Sequence, residues 1–156
     1  MNRRSFLRAV GGVGGVLGAA AIQSPALGAR STIEGSVEAK SVTGTKADTS
    51  AGILLAQEGD LSVEDPSYDD AVETWEHVAV DDDLAQRLRF DYLTIRYNVH
   101  VSHESPNDRF DVATGESLAY RADREQFNAV DVGDDVAFRQ AGGDVPAISA
   151  FAEPDE

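Results

Sequence analysis

The stretch "LTIRYNVHV", residues 93–101, is the plainest strand in the chain. Leu93, Ile95, Tyr97, Val99 and Val101 fall on one face and Thr94, Arg96, Asn98 and His100 on the other. A period of two is what a strand with one buried face requires, so the apolar side is expected in a core. Upstream, "TIEGSVEAKSV", 32–42, alternates in the same way, setting Ile33, Gly35, Val37 and Ala39 against Glu34, Ser36, Glu38 and Lys40. "GILLAQ", 52–57, is a short apolar run that suits a central strand, and "SLAYRAD", 117–123, "DVAFRQ", 135–140, and "PAISAF", 146–151, complete the set. "SVTGTKADTSAG", 41–52, is small and polar and reads as a loop. The acidic "EGDLSVEDPSYDD", 58–70, reads as a turn-rich connection in which Asp65 or Ser67 caps a short helical turn.

Two segments share an order of parts. "VAVDDDLAQRLRFDYLTIRY", 78–97, runs strand, acidic cluster, a short segment with Leu84 and Leu88, and strand. "YRADREQFNAVDVGDDVAFR", 120–139, repeats the order with Asp123, Phe127 and Val130. Each predicts strand, one to two helical turns, strand; duplication and coincidence both stay open. The expected fold is mostly β with minor α content: a small antiparallel β-barrel or sandwich with one or two short helices. It forms one acidic domain over 29–156 with a frayed acidic tail. "VDVGDDVAF", 130–138, resembles a piece common in small closed or nearly closed β-barrels of the oligonucleotide/oligosaccharide-binding type. That likeness is architectural and carries no function.

Composition closes several chemistries. The chain has no cysteine, which excludes disulfides, thiolate zinc, iron–sulfur and blue-copper sites, covalent haem, a cysteine nucleophile and a cysteine lipid anchor. Its one methionine is Met1, so no thioether ligand follows either. Hydrophobic residues make up 42% of the chain, more than a solvated disordered chain carries. No Gly-x-Ser-x-Gly elbow, His-Glu-x-x-His pair or phosphate-binding glycine loop occurs. No cofactor is expected.

The N-terminus has the opposite charge to the rest. Arg3, Arg4 and Arg8 precede a glycine- and alanine-rich uncharged run, Ala9 to Ile22, and Ala26-Leu27-Gly28 offers a small-residue cleavage site. A spanning helix needs roughly 20 strongly apolar residues and an export-signal core about 7 to 15, and the run fits the second. Arg3-Arg4-Ser5-Phe6-Leu7-Arg8 resembles the twin-arginine export motif, with Arg3, Arg4, Phe6 and Leu7 at its defining positions and Gly28 at the cleavage point. The resemblance implies a signal over 1–28, passage through the twin-arginine translocase, a domain folded before export, an extracellular or cell-surface location and no stable membrane anchor. Past residue 28 remain 10 basic residues against 28 acidic ones, a net −18. Such charge repels itself in dilute buffer but is screened at 1 M salt, where the Debye length is about 3 Å. Acid-rich surfaces whose only lysines are Lys40 and Lys46 resemble those of salt-loving archaea. Nucleic acid is not expected as a partner, because phosphate contacts need clustered basic residues.

Several constellations invite a site. In "HVSHE", 100–104, alternation puts His100 and His103 on opposite faces, which argues against a shared metal, and His77 lies far away in sequence. Asp81 to Asp83 and the run Glu64 to Asp70 lack calcium-loop spacing; helix capping and a favourable helix dipole explain Asp81 to Asp83. Asp91 and Glu104 are the acids to examine first for raised proton affinity. Trp75 and Tyr97, with Tyr68, Tyr92 and Tyr120, could form an aromatic platform for carbohydrate, although a lone tryptophan is more often core. Arg96, Asn98, His100 and Ser102 share one strand face and form the expected binding face. The functional expectation is a non-catalytic extracellular binding module with a protein or glycan partner; the alternative is a small secreted hydrolase using paired carboxylates.

Overall fold

The sheet is built on one long strand. In the computed structural model, which describes residues 32–152, β1 (Thr32–Lys46) pairs antiparallel with three others. Along one edge it carries β6 (Asp135–Gln140) at residues 32–36 and then β2 (Thr49–Gln57) at residues 39–46. Along the other it carries β4 (Thr94–His103) from Gly35 to Thr45. β3 (Asp60–Val63) extends the sheet beyond β2, β5 (Ser117–Ala122) beyond β4, and β7 (Ile148–Phe151) beyond β6. The described residues therefore form one seven-stranded antiparallel sheet with two short helices, α1 (Asp82–Asp91) and α2 (Arg124–Ala129). No continuous ladder closes it. A single parallel bridge, Arg121 to Ala147, joins its margins, with the Arg121 amide donating to the Pro146 carbonyl at 2.9 Å.

The helices start where the sequence places acids. Asp81 caps α1 by accepting from the Leu84 amide at 2.8 Å, with Asp82 and Asp83 in the first turn against the positive helix end. Leu84, Ala85 and Leu88 recur at helical spacing and are buried. Asp123 caps α2 in a capping box with Gln126, and Phe127 buries its ring 5.4 Å from that of Tyr97. Asp65 caps a 3-10 turn, Pro66–Tyr68. The centre holds Val42, Ile53, Val99, Val101, Tyr120 and Phe138, each fully or nearly fully buried, and every such aliphatic or aromatic side chain contributes about 1.5–3 kcal/mol.

Five expectations change, four of them outside the alternation of β1. Residues 41–52, read as a loop, are strand on both sides of a turn at 47–48: 49–52 open β2, and 41–46 continue β1 because Gly44 is no turn signal, since a Cβ there would sit 2.7 Å from the Tyr92 ring and only glycine lets that ring lie against the strand. Asp60–Val63, read as part of a turn-rich connection, is a strand paired with β2. Residues 78–80 are not a strand, since the Val80 backbone finds its partners in the Asn128 amide, at 2.7 Å to the N–H and 2.9 Å to the carbonyl. Leu93 is 74% exposed, because α1 runs through Asp91 and β4 begins at Thr94.

The largest departure lies within β1. Val37 pairs with Val101 and Ala39 with His100, so Glu38 is an extra residue, a β-bulge. Before it the odd-numbered residues Ile33 and Val37 face inward; after it the even-numbered Lys40 and Val42 do. Lys40, expected on the polar face, is 0% exposed. Its Nζ donates to the Val78 carbonyl and to the Val130 carbonyl at 2.7 Å, and it lies 4.1 Å from the centre of the Phe127 ring. Backbone oxygens and a ring face thus stand in for part of the water that burial strips from the amine.

Candidate functional site

The bulge also opens a groove on the outer face. Along this edge of β1, β6 stops at Ser36 and β2 begins at Ala39, so the strand is briefly unflanked where Glu38 protrudes. A cavity of 860 Å³ occupies the gap, bounded by Glu38, Gln57, Glu58, Trp75, His100 and Gly133 among others. Its size falls in the usual range for small-ligand sites, about 300–1,000 Å³. Gly133 sits at φ +95°, a left-handed conformation that glycine adopts without strain, and its amide donates to the Val37 carbonyl at 2.7 Å to hold the turn against β1.

Trp75 arrives from the irregular segment after β3 and is half-buried. Three ties fix that segment. Lys40 holds the Val78 carbonyl from inside the sheet; Asn128 and Arg124 hold Val80, Arg124 at 3.1 Å; and His77 Nδ1 lies 2.8 Å from an Asp131 carboxylate oxygen. The residue that the bulge turns inward thus anchors the wall that carries the tryptophan.

His100 stands on the groove's β4 side. Asn98 Nδ2 donates to Ser41 Oγ at 3.3 Å, which leaves the Ser41 hydroxyl free to donate to His100 Nε2 at 3.0 Å. Burial pushes the His100 pKa down, with the Glu38 carboxylate pulling the other way, so the neutral ring that accepts from Ser41 is the favoured form. Of the expected binding face, His100 alone lines the groove. Arg96 is exposed opposite Thr43, Asn98 reaches His100 through Ser41, and Ser102 lies in a serine row with Ser36 and Ser117. Arg121, across from Asn98, extends this polar stripe and was not singled out in the sequence.

His103 points the other way, into the core. Its Nδ1 lies 2.9 Å from the Ser105 carbonyl, which can only accept, so Nδ1 carries the proton and Nε2 accepts from the Tyr120 hydroxyl at 2.9 Å. Asn107 donates to Tyr120 at 2.8 Å and to Gln140 at 3.0 Å, completing a buried polar network. His100, His103 and His77 are therefore held in three separate places. Among the described residues no group of three or more His, Asp or Glu side chains is arranged to hold a metal ion.

The five-aromatic platform does not assemble. Tyr120 is buried, Tyr97 packs on Phe127, and Tyr68 and Tyr92 form their own pair with ring centres 6.4 Å apart. Their hydroxyls donate to Asp91, at 2.6 Å, and to Asp65. Burial first, then these carboxylates, push both phenol pKa values up, that of Tyr92 to about 12. Asp91 is thus a hydrogen-bond acceptor at the end of α1, and Glu104 lies exposed just past β4. Glu38, Gln57 and Glu58 line the groove without any pattern in the sequence marking them.

The proposed export residues Arg3, Arg4, Phe6, Leu7 and Gly28 lie outside the described residues. No helix among the described residues is long and apolar enough to cross a membrane. Compared with protein-family models, curated proteins and solved structures, the chain matches none.

Proposed function

We propose that the chain is an exported, salt-adapted, non-catalytic binding module that takes an extracellular protein or glycan partner in the groove over the β1 bulge. The observation that carries this reading is the meeting of Trp75, His100 and Glu38 around one open 860 Å³ cavity. An aromatic wall with a few convergent polar groups is the usual make-up of a ligand site. The strand order supports a barrel of the oligonucleotide/oligosaccharide-binding type. β1, β4 and β5, then α2, then β6 and β7 returning to β1 follow its five-strand course, with β2, β3 and α1 as an excursion between the first two strands. The partner proposed is not nucleic acid, because the groove is lined by no basic residue.

The hydrolase reading has one observation in its favour, since Glu38 and Glu58 line the same groove. Both side chains are exposed to solvent, whereas a catalytic carboxylate pair works in a site closed enough to exclude bulk water. Binding is the better account. The test is capture of ligand by the immobilised full chain from an envelope extract and a glycan panel in molar salt. A stoichiometric ligand lost in Trp75→Ala supports the module. Turnover of a polysaccharide or ester, lost in Glu58→Gln and with no Trp75-dependent ligand, overturns it.

Export by the twin-arginine translocase to the cell exterior, without a stable membrane anchor, belongs to the same proposal. Replacing Arg3 and Arg4 with lysine should leave the precursor in the cytoplasm, and normal secretion of that variant would remove the assignment. Salt adaptation predicts a thermal midpoint that rises between dilute buffer and about 1 M salt as self-repulsion is screened.

A further inference from the structure

We infer that the groove over the β1 bulge selects a cationic sugar, a hexosamine with a free ammonium group. The inference rests on reading the groove as a binding site and adds the charge and class of the ligand.

The lining carries the argument. Glu38 and Glu58 are its only formally charged residues apart from the titratable His100, and both are acidic. The nearest lysine in sequence, Lys40, is turned by the bulge into the interior and fully buried, so its amine cannot contact a ligand in the groove. Unbroken alternation would have placed both Glu38 and Lys40 on the outer face; the bulge removes the lysine and leaves the glutamate there. His100 adds no opposing charge at neutral pH, because burial favours its neutral form. A second cavity, of 510 Å³, is lined by Arg89 and by Arg124, whose guanidinium pairs with Asp82 at 2.8 Å. The groove, by contrast, carries two acids and neither lysine nor arginine, and so suits a cation.

Ammonium on Trp75 and two carboxylates satisfies both the indole face and the local charge. The remaining lining decides what the ammonium is attached to. Ser36, Gln57 and His100 offer donors and acceptors suited to hydroxyl groups, and the cavity is far larger than one ammonium needs. A lysine side chain brings an aliphatic stem with nothing for those groups to bind. A hexosamine brings hydroxyls, a ring face for the indole and the charge together.

Because Trp75 is the chain's one tryptophan, its emission reports on the groove directly. The full chain is titrated with a glucosamine trimer, its N-acetylated counterpart, glucuronate and Nα-acetyl-lysine methyl ester, at low and molar salt. The glucosamine trimer should change the emission saturably and bind at least about tenfold more tightly than the N-acetylated trimer, the worth of one charge-assisted contact. Glucuronate should give no response. The double variant Glu38→Gln, Glu58→Gln changes only exposed side chains; it should keep the native circular dichroism and erase the preference for the free amine. Equal or tighter binding of the N-acetylated trimer would overturn the inference in favour of a neutral glycan. Tighter binding of the lysine ester would overturn it in favour of a basic protein segment. If no probe responds while a Trp75-dependent envelope ligand is captured, the charge inference fails and the binding module stands. If that capture fails too, both fall.

Discussion

β1 holds two strands' worth of information in one. Residues 32–37 pair with β6 and aim Ile33 and Val37 inward; residues 39–46 pair with β2 and aim Lys40 and Val42 inward. Both halves face β4 on their other side, and one extra residue, Glu38, separates them. A shift of one residue moves every later side chain to the opposite face of a sheet. Here it carries Lys40 from the surface into the core and leaves Glu38 outside. The first half is ordinary sheet; the second is the part that anchors the Trp75 segment from within and leaves the groove acidic from without.

The comparison breaks most severely at Lys40. Lys40→Ala leaves the Val78 and Val130 carbonyls without this donor and empties space beside Phe127, which should lower unfolding stability by about 2–5 kcal/mol in urea titrations. Lys46→Ala, at the exposed end of the same strand and 4.7 Å from the Tyr92 ring centre, should cost no more than about 1 kcal/mol. Next in size is Asn128→Ala, which removes the two hydrogen bonds that stand in for a strand beside Val80. A loss of about 1–3 kcal/mol is expected, with faster amide exchange at Val80 and an altered Trp75 emission.

The smallest expected effect is a pH dependence. The folded pKa of His100 lies below its ordinary value of 6.5, so below that value the unfolded chain binds more protons. The stability that His100 contributes is therefore complete above about pH 6.5 and is lost as pH falls through the folded pKa. His100→Gln should flatten the fall of the thermal midpoint between about pH 7 and 5 relative to the parent. An unchanged slope would remove the burial of His100 from the account.

Strands whose neighbours agree with their own pattern were legible. β4 from Ile95 onward, β5 and β6 follow their alternation, and Asp81, Asp123 and Asp65 cap where they stand before short apolar-periodic segments. The bulge was hidden because Ala39 is small enough to belong to either face, so "EGSVEAK" reads as unbroken alternation. Val78 and Val80 imitate a strand because burial gives the same pattern when side chains, rather than a neighbouring strand, satisfy the backbone. His100 was legible as an outward polar residue. Its companions in the groove were not, since the gap between β6 and β2 at Glu38 depends on tertiary pairing and Trp75 on a loop tied down by Lys40, Asn128 and Asp131.

The inversion of β1 can be read from the chain's two lysines. Under native conditions the full chain is treated with an amine acylating reagent, and modification at each lysine is followed by mass spectrometry. Lys46, exposed, should react at once, while Lys40, 0% exposed, should stay unmodified until denaturant is added. Acylation of native Lys40 at a rate comparable to that of Lys46 would place it on the outer face, and neither the bulge nor the groove built on it would survive that result.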